Sequence, residues 1–262
     1  MSESSDAHER RIAVISGASR GIGFATARAL LAAGYRTAIF SQNASAIASA
    51  GDNLSADFGA ENVFARSVDL RCSEAIAGYF TDLQQQWGAP AILVCNAGIS
   101  LKAPDGTRVP FCEVTEAEWE DALRVNLTAT LLCCQAVLPA MADNGLGRII
   151  LIGSIATRAL PYIAGTSYLA SKSGLAGLMR AIISEYSSRH VTANIVAPGL
   201  ILTEMAGSPD ELKNQLALKR IPAGVFGTPD DVARVVTFLA SKDAYFINGA
   251  TIDVNGGEYI AA

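Results

Sequence analysis

A tyrosine and a lysine stand four positions apart in this 262-residue chain, as Tyr168 and Lys172 of the segment SYLASKSG, which continues as a helical pattern. This spacing puts both side chains on one face of a helix. A free tyrosine has a pKa of about 10, too high for efficient proton transfer near neutral pH. An ammonium group beside it favours the phenolate, so the pair predicts a tyrosine of lowered pKa that exchanges protons with a substrate.

A glycine-rich turn is the second candidate, since the segment SGASRGIG at Ser16–Gly23 joins a predicted strand to a predicted helix. Glycines allow a tight turn and let backbone N–H groups approach a pyrophosphate at a helix N-terminus. The spacing G-x-x-x-G-x-G differs from G-x-G-x-x-G, so the glycines alone are a weak signal. Their position between the first strand and first helix of a βαβ series makes dinucleotide binding the favoured interpretation.

The end of the second predicted strand bears on which dinucleotide binds. An NAD site usually has an acidic residue here for the ribose 2′-hydroxyl, but this chain has Ser41 and Gln42. With no carboxylate to repel a 2′-phosphate, and with Arg20 nearby to pair with it, NADP(H) is favoured and NAD(H) stays open. Arg20 as a solvated turn residue is the alternative. The same neutral pair argues against a methyltransferase, which would want an acid here for a ribose.

Other polar residues limit the classes of reaction and of site that the chain could support. Ser154 follows a predicted strand, where its hydroxyl could hydrogen-bond a substrate carbonyl; an ordinary turn serine is the alternative. The two histidines, His8 and His190, do not support a Ser-His-Asp triad or a histidine-based metal site, so no metal is expected. Five cysteines without a C-x-x-C pair argue against a disulfide framework.

The elements that must position these residues alternate between short apolar runs and longer amphipathic stretches. This pattern predicts an α/β fold, a single doubly wound Rossmann-type domain over residues 11–262 with a central parallel sheet of about seven strands. A disordered polar tail, residues 1–10, is expected before it. The predicted strands are Ile12–Ser16, Arg36–Phe40, Val63–Ser67, Ala91–Asn96, Arg148–Ile152, Thr192–Val196 and Thr251–Val254; predicted helices include Gly23–Ala33, Ser73–Trp87 and Glu116–Met141.

Two irregular stretches, residues 99–115 and 199–227, each follow the end of a predicted strand, and the second is expected to hold one or two short helices. Because ligands bind beyond the carboxyl ends of strands in open α/β sheets, these stretches are the expected substrate walls. Simple surface loops are the alternative.

Composition sets the remaining bounds. Half of the residues are hydrophobic and 17% are charged, which supports a buried core rather than disorder. A net charge of -5 gives no electrostatic footprint for nucleic acid. Neither an apolar run of about 18 residues nor a secretory signal is evident in the sequence, so we expect no membrane association and a cytoplasmic location.

Seven motifs in order resemble the short-chain dehydrogenase/reductase family, over the chain from about residue 10 to the C-terminus. They are SGASRGIG with Asp69, CNAG at Cys95–Gly98, Asn126 in RVNL, Ser154, YLASK, APG at Ala197–Gly199, and ING-x-x-x-x-VNGG at Ile247–Gly257. Three departures stand out: Ser16 where the family commonly has Thr, Cys95 in place of a frequent Asn, and a gap from Ser154 to Tyr168 that is one residue longer than usual. None removes a reacting group.

The resemblance implies hydride transfer between a nicotinamide cofactor and a carbonyl or alcohol. Tyr168 would be the general acid or base, Lys172 would lower its pKa and bind the nicotinamide ribose, Ser154 would hold the substrate oxygen, and Asn126 would support a water relay to Lys172. The implied cofactor-binding residues are Gly17, Ser19, Arg20, Gly21, Ile22 and Gly23 by the phosphates and adenosine ribose; Asp69, Leu70, Asn96, Ala97 and Gly98 by the adenine and its ribose; and Pro198, Gly199, Ile201 and Thr203 by the nicotinamide.

Within the family the motifs most resemble 3-oxoacyl-thioester reductases, including those acting on acyl-carrier-protein substrates, with sugar and alcohol dehydrogenases close behind. Carrier-dependent reductases tend to have basic residues before the fifth strand, whereas Met141–Gly147 is acidic here and Arg189 is the basic residue that could still serve. The expected substrate is a small carbonyl or alcohol, free or thioester-linked. A catalytically silent nicotinamide-binding sensor or scaffold is the alternative of another class, and the presence of all four catalytic residues argues against it.

The family usually forms tetramers through its long fourth and fifth helices. The predicted helix Glu116–Met141 carries more apolar residues than one face of a monomer requires: Trp119, Leu123, Leu127, Leu131 and Leu138. A homotetramer is therefore expected, with a dimer, or burial of the helix under a loop, as alternatives.

Overall fold

Strands and helices alternate along the chain in the computed structural model, which describes residues 11–103, 106–160, 163–204 and 206–261. In these ranges seven strands form one parallel sheet in the order β3-β2-β1-β4-β5-β6-β7. The strands are β1 (Ile12–Ser16), β2 (Arg36–Ser41), β3 (Val63–Ser67), β4 (Ile92–Cys95), β5 (Gly147–Ile152), β6 (Val191–Pro198) and β7 (Thr251–Val254). The predicted sheet is confirmed; the expected tail, residues 1–10, lies outside the described residues.

The helices fill the connections between successive strands. They are α1 (Gly21–Ala32), α2 (Ala44–Phe58), α3 (Ser73–Trp87), α4 (Glu116–Leu123), α5 (Ala129–Asp143), α6 (Thr166–Tyr186), α7 (Leu212–Leu218) and α8 (Pro229–Ala240). Of the predicted boundaries, α3 agrees at both ends, while α1 begins two residues before Gly23. The predicted helix Glu116–Met141 is α4 and α5 joined through a wider π-helical turn, Arg124–Thr128.

Both faces of the sheet are covered, because successive strand side chains point to opposite sides. Val14 of β1 faces a core shared with α3, α5 and α6, whereas Ala13 and Ile15 face a second core shared with α1, α2 and α8. This two-sided burial explains why the central strands are nearly continuously apolar. The fold is a single doubly wound α/β domain.

The combined segment Glu116–Asp143 is long and apolar enough, by length and composition, to cross a membrane. Of its most apolar 18-residue window, however, 56% is buried inside the domain. Leu138 is buried in the core, and Leu127 packs against Gly174 of α6. The segment is therefore a core helix of this domain.

Candidate active site

A cleft of about 1010 Å³ runs along the carboxyl edge of the sheet. It crosses the point where β1 and β4 are neighbours and the strand order reverses, which is where ligands bind in open α/β sheets. Most of the predicted site residues line it: Gly17, Ser19, Arg20, Gly21, Ile22, Ser41, Gln42, Asp69, Leu70, Asn96, Ala97, Gly98, Ser154, Tyr168, Lys172, Pro198, Gly199, Ile201 and Thr203. Gly23 and Asn126 lie behind its wall.

Two parts of the cleft have different constructions. We call Gly17–Ile22 with Ser41, Gln42 and Asp69 the glycine-turn end, and Ser154, Tyr168 and Lys172 with Asn126 behind them the tyrosine end. Both predicted wall segments contribute, through Ile99, Ser100 and Lys102 on one side and through residues between Gly199 and Arg220 on the other.

Tyr168 lies in the first turn of α6, and the Ser154 side chain lies next to its hydroxyl group. Burial raises the pKa of Tyr168 above its usual 10, and the Ser154 hydroxyl, as a hydrogen-bond donor to the phenolate, opposes that rise. The predicted lowering of the Tyr168 pKa by Lys172 is therefore wrong for the protein without a ligand. Desolvation of the phenolate raises this pKa by more than the contact with Ser154 lowers it. Tyr168 is held as a protonated donor next to a serine hydroxyl.

Lys172 is buried one helical turn further along α6, with 5% of its surface exposed. Its Nζ donates to the carbonyl oxygen of Ile152 at the end of β5, at 2.7 Å. Burial lowers the pKa of Lys172 to about 8. Gly98 makes room for this side chain, since a Cβ at that position would lie 3.1 Å from Nζ.

Asn126 sits in the wide helical turn between α4 and α5 and is fully buried. Its Nδ2 donates to the Ile99 carbonyl at 2.9 Å and to Ser171 Oγ at 2.9 Å, while its Oδ1 accepts from Ile99 N–H at 2.8 Å. The side chain thus ties the segment after β4 to the residue beside Lys172. Both Nδ2 hydrogens therefore already have protein partners. The part of Asn126 in a water relay to Lys172 stays a prediction.

The glycine turn is shaped by close backbone contacts. Gly17 has a φ of +66°, and a Cβ there would lie 2.8 Å from Ala97 Cα. A Cβ on Gly23 would lie 2.4 Å from the Gly17 carbonyl oxygen, so Gly23 acts by packing rather than by facing the cleft. Unlike α2 and α4, α1 begins without a side-chain cap, at Arg20. Its first N–H groups are therefore available to an anion in the cleft.

Two departures from the family pattern have clear structural explanations. Ser16 Oγ accepts from the N–H groups of Asn96 and Ala97, both at 3.0 Å, so the smaller hydroxyl residue keeps the role of joining β1 to β4. Asn96 completes the join by donating through Nδ2 to the carbonyls of Ser16 and Gly17, each at 3.0 Å. Cys95 is buried in the same core cluster as Cys134, so it faces the core.

Gln42 and Asp69 meet at the glycine-turn end, where Gln42 Nε2 donates to Asp69 Oδ2 at 3.3 Å. Arg71, which sequence reasoning missed, donates to Gln42 Oε1 at 3.2 Å and pairs with Asp121 of α4 at 2.6 Å. Ser41 Oγ is buried and makes no hydrogen bond to any residue in the described ranges. Ser41 lines the cleft, so this unpartnered hydroxyl group lies in the wall of the binding site.

Arg20 pairs with Glu204, a residue of the segment after β6, and both side chains are exposed. The sequence predicts that Arg20 can meet a 2′-phosphate, whereas in the structure a phosphate must compete with this carboxylate. The pair joins the two sides of the cleft opening.

Charged residues at the substrate side were also missed. Lys102 Nζ donates to the Ile163 carbonyl at 2.7 Å, and Arg220 lies 3.6 Å from Glu258. Burial raises the pKa of Glu258, and Arg220 opposes that rise. These three residues, Lys102, Arg220 and Glu258, belong to irregular or C-terminal segments, where no sequence periodicity indicates which side chains face a cleft.

The residues fit a nicotinamide dinucleotide. The uncapped start of α1 suits the pyrophosphate, the unpartnered Ser41 hydroxyl suits a polar group of the ribose end, and no carboxylate stands at Ser41 or Gln42 to repel a 2′-phosphate. A cleft of this volume holds a cofactor and a small substrate together.

Comparison with known proteins agrees with this geometry. A family model described as enoyl-(acyl carrier protein) reductase matches residues 17–258. The 3-oxoacyl-[acyl-carrier-protein] reductase MabA of Mycobacterium tuberculosis is 37% identical over 247 residues, covering 94% of this chain and 92% of that protein. The corresponding reductase FabG of Pseudomonas aeruginosa is also 37% identical, over 251 residues that cover 96% and 98% of the two chains.

A solved structure gives the same result at the level of the fold. A blue fluorescent protein from a metagenomic library, crystallised in complex with NADPH, superposes with a TM-score of 0.87 at 32% identity. The match covers 95% of this chain and 98% of that chain.

Proposed function

Because this chain belongs to the short-chain dehydrogenase/reductase family and is an NAD(P)-dependent oxidoreductase, we propose that it reduces the ketone of a 3-oxoacyl thioester to a secondary alcohol with NADPH. The observation that carries this proposal is that the Ser154 and Tyr168 hydroxyl groups lie side by side in the cleft at the carboxyl edge of the sheet. Two such donors suit a carbonyl oxygen that gains negative charge as it is reduced.

Each residue of the tyrosine end has a distinct role in this proposal. When bound, the reduced nicotinamide supplies the hydride that forms the new C–H bond. Ser154 donates a hydrogen bond to the carbonyl oxygen and fixes its position. Tyr168 transfers its phenolic proton to that oxygen, and the raised pKa of Tyr168 keeps the proton in place until the oxygen becomes basic. Lys172 supplies positive charge beneath the tyrosine that stabilises the transient phenolate.

The preference for NADP(H) over NAD(H) rests on the glycine-turn end. The Ser41–Gln42 pair is neutral, and Arg20 and Arg71 both line this part of the cleft. The solved structure with bound NADPH supports the choice by its similarity over nearly the whole chain.

A thioester of a small carrier such as coenzyme A is favoured over one on an acyl carrier protein. Arg189, the basic residue left for docking an acidic carrier, pairs with Asp143 at 2.8 Å on the surface. Around the tyrosine end, Ala159, Leu160 and Ile163 give the cleft an apolar wall that suits a short acyl chain. An acetoacetyl-CoA reductase of Rhizobium meliloti is among the relatives, 35% identical over 253 residues that cover 96% of this chain and 99% of that protein.

A dehydrogenase of a sugar or small alcohol is the second candidate. It is favoured by the charged residues on the substrate side, Lys102 and the Arg220–Glu258 pair, which suit a substrate rich in hydroxyl groups. The silent sensor is not proposed, because Asn126, Ser154, Tyr168 and Lys172 are all present.

The assembly and the location of the protein are also part of this proposal. Trp119 and Leu131 are the most exposed members of the apolar set of the α4–α5 segment, at 37% and 38%. We infer that they lie in a homotetramer interface, or in a dimer interface, of a cytoplasmic enzyme; light scattering on the purified protein distinguishes these states from a monomer.

The test is a panel of substrates, in which turnover is measured as the loss of absorbance by the reduced nicotinamide. We expect NADPH oxidation with acetoacetyl-CoA, one 3-hydroxyacyl product per NADPH, and slower oxidation of NADH. Turnover of sugars or alcohols with NAD⁺ or NADP⁺, but not of the 3-oxoacyl thioester, would replace the first candidate by the second.

A further inference from the structure

Arg158 forms a partly buried ion pair behind the tyrosine end. Its Nη1 donates to both carboxylate oxygens of Asp253 in β7, at 3.0 and 3.1 Å, and the two side chains are only 25% and 18% exposed. The guanidinium also lies 5.0 Å from the ring of Tyr259 in the C-terminal segment. A charge-assisted contact of this kind is stronger and better ordered than an exposed ion pair.

The ion pair fixes the far end of the short helical turn that begins at Ser154. Ser154 caps the start of the turn Ile155–Thr157, and Arg158 closes the turn by donating its N–H to the Ile155 carbonyl at 2.9 Å. Within the turn, Thr157 Oγ1 donates to the Ser154 carbonyl at 2.8 Å. A displacement of Arg158 is therefore transmitted through three residues to Ser154.

The sheet also holds the end of the Ser154 turn that lies before the serine. Gly153 N–H donates to the Val196 carbonyl of β6 at 2.8 Å, and Asp253 is paired with Ala197 across β6 and β7. The Ser154 turn is thus attached to the sheet on both sides, through Gly153 before the serine and through Arg158 after it. Two residues after Arg158, Leu160 is 85% exposed.

We propose that Arg158 is a positioning residue, which acts through Asp253 to hold the Ser154 hydroxyl at hydrogen-bonding distance from Tyr168 and the substrate oxygen. It touches neither substrate nor cofactor, since neither Arg158 nor Asp253 lines the cleft. The inference rests on the proposed role of Ser154 in ketone reduction. A small displacement of an aligned catalytic group is costly, so we expect removal of Arg158 to lower kcat about 10- to 100-fold.

A double-mutant cycle with Ser154 tests this proposal. Arg158→Met lowers kcat for acetoacetyl-CoA in the wild-type background, with the Kd for NADPH unchanged. In a Ser154→Ala background the same change has no further effect, because the group it positions is gone. Arg158→Lys restores part of the activity through a weaker pair with Asp253.

Arg66 of β3 provides a matched control, because it makes the same two kinds of contact as Arg158. It forms an ion pair with Asp82 at 2.7 Å, and its guanidinium lies 5.0 Å from the Phe64 ring. Arg66→Met should leave kcat unchanged. If Arg158→Met does not fold, Asp253→Asn, which keeps the size of the side chain, takes its place in the cycle. Full activity of the folded Arg158 or Asp253 variant, or equal losses with and without Ser154, would overturn the proposal. Failure of the wild type to reduce any ketone would instead overturn the proposed function.

Discussion

At the glycine-turn end of the cleft the charged side chain of Arg20 is exposed, whereas at the tyrosine end Lys172 and Asn126 are buried. Arg20 and Glu204 are each 68% exposed, while Lys172 is 5% exposed and Asn126 is fully buried. The fixed features of the glycine-turn end are backbone ones, such as the left-handed Gly17 and the first turn of α1. The fixed features of the tyrosine end are side chains held by the ends of β4 and β5 and by α6.

This difference separates the choice of cofactor from the chemistry. An exposed side chain changes a binding preference at little structural cost, because water screens it and it has few neighbours. The buried Lys172 and Asn126 side chains have hydrogen-bond partners, so their replacement leaves unsatisfied groups or moves a neighbour. Substitutions at the tyrosine end should therefore lower kcat strongly, and those at the glycine-turn end should mainly change the cofactor ratio.

The largest expected effect is that of Tyr168→Phe. Removing the phenolic proton should lower kcat about 10²- to 10⁴-fold, the usual contribution of a general acid. Because Phe keeps the ring and the packing of α6, the Kd for NADPH, followed by fluorescence, should not change. Substantial residual turnover would mean that another group donates the proton.

Gly98→Ala tests whether the tyrosine end depends on the close approach of Lys172. The new Cβ would lie 3.1 Å from Nζ and 3.4 Å from Asn126 Oδ1, so the lysine must shift. We expect a loss of about 10- to 100-fold in kcat, measured at saturating NADPH.

Gly177→Ala on α6 is the control, since a Cβ there meets nothing within 4 Å. That change should raise the free energy of unfolding by about 0.5 to 1 kcal/mol and leave kcat unaltered. Equal activity of the two alanine variants would refute the role given to Gly98.

Ser41→Asp should act at the glycine-turn end alone. A carboxylate beside the 2′-phosphate repels NADPH and can accept a hydrogen bond from the 2′-hydroxyl of NADH, so the ratio of kcat/KM values should shift toward NADH by about tenfold or more. Ser49→Asp adds the same charge on an exposed site of α2 and should leave the ratio unchanged. An unchanged ratio in Ser41→Asp would place the 2′-phosphate elsewhere.

The smallest expected effect is a pH dependence. The pKa of Lys172 is lowered to about 8, while the pKa of Tyr168 is raised above 10. Below pH 8 Lys172 is charged and Tyr168 protonated, so kcat/KM for reduction should be level; it should fall to about half near pH 8 and decline further as the ammonium is lost.

Lys172→Arg moves the charged group's pKa far higher. Whatever its absolute activity, its profile should lack the break near pH 8. A break that persists in this variant belongs to another group.

Local sequence patterns predicted where several elements around the site lie. The glycine turn, the individual strands and the i,i+4 pair of Tyr168 and Lys172 depend on residues close together in the chain, so their local geometry follows from backbone preferences. Asn96 and Ser16 were recognised by motif, although they act together across the sheet.

The contacts that the sequence did not predict join residues that lie far apart in the chain. Arg20 meets Glu204 from 184 positions away, and Arg71 meets Asp121 from 50. The direction of the Tyr168 pKa depends on how deeply α6 is buried, which the i,i+4 spacing does not express. The wide turn at Arg124–Thr128, which places Asn126, is likewise invisible in an otherwise regular apolar helix pattern.

A parallel fluorescence titration of the wild type, Tyr168→Phe and Ser41→Asp with NADPH and NADH tests the separation of cofactor choice from chemistry most directly. The account predicts tighter binding of NADPH than NADH by the wild type, the same two Kd values for Tyr168→Phe, and a preference shifted toward NADH for Ser41→Asp. Loss of NADPH binding in Tyr168→Phe together with an unchanged preference in Ser41→Asp would contradict it.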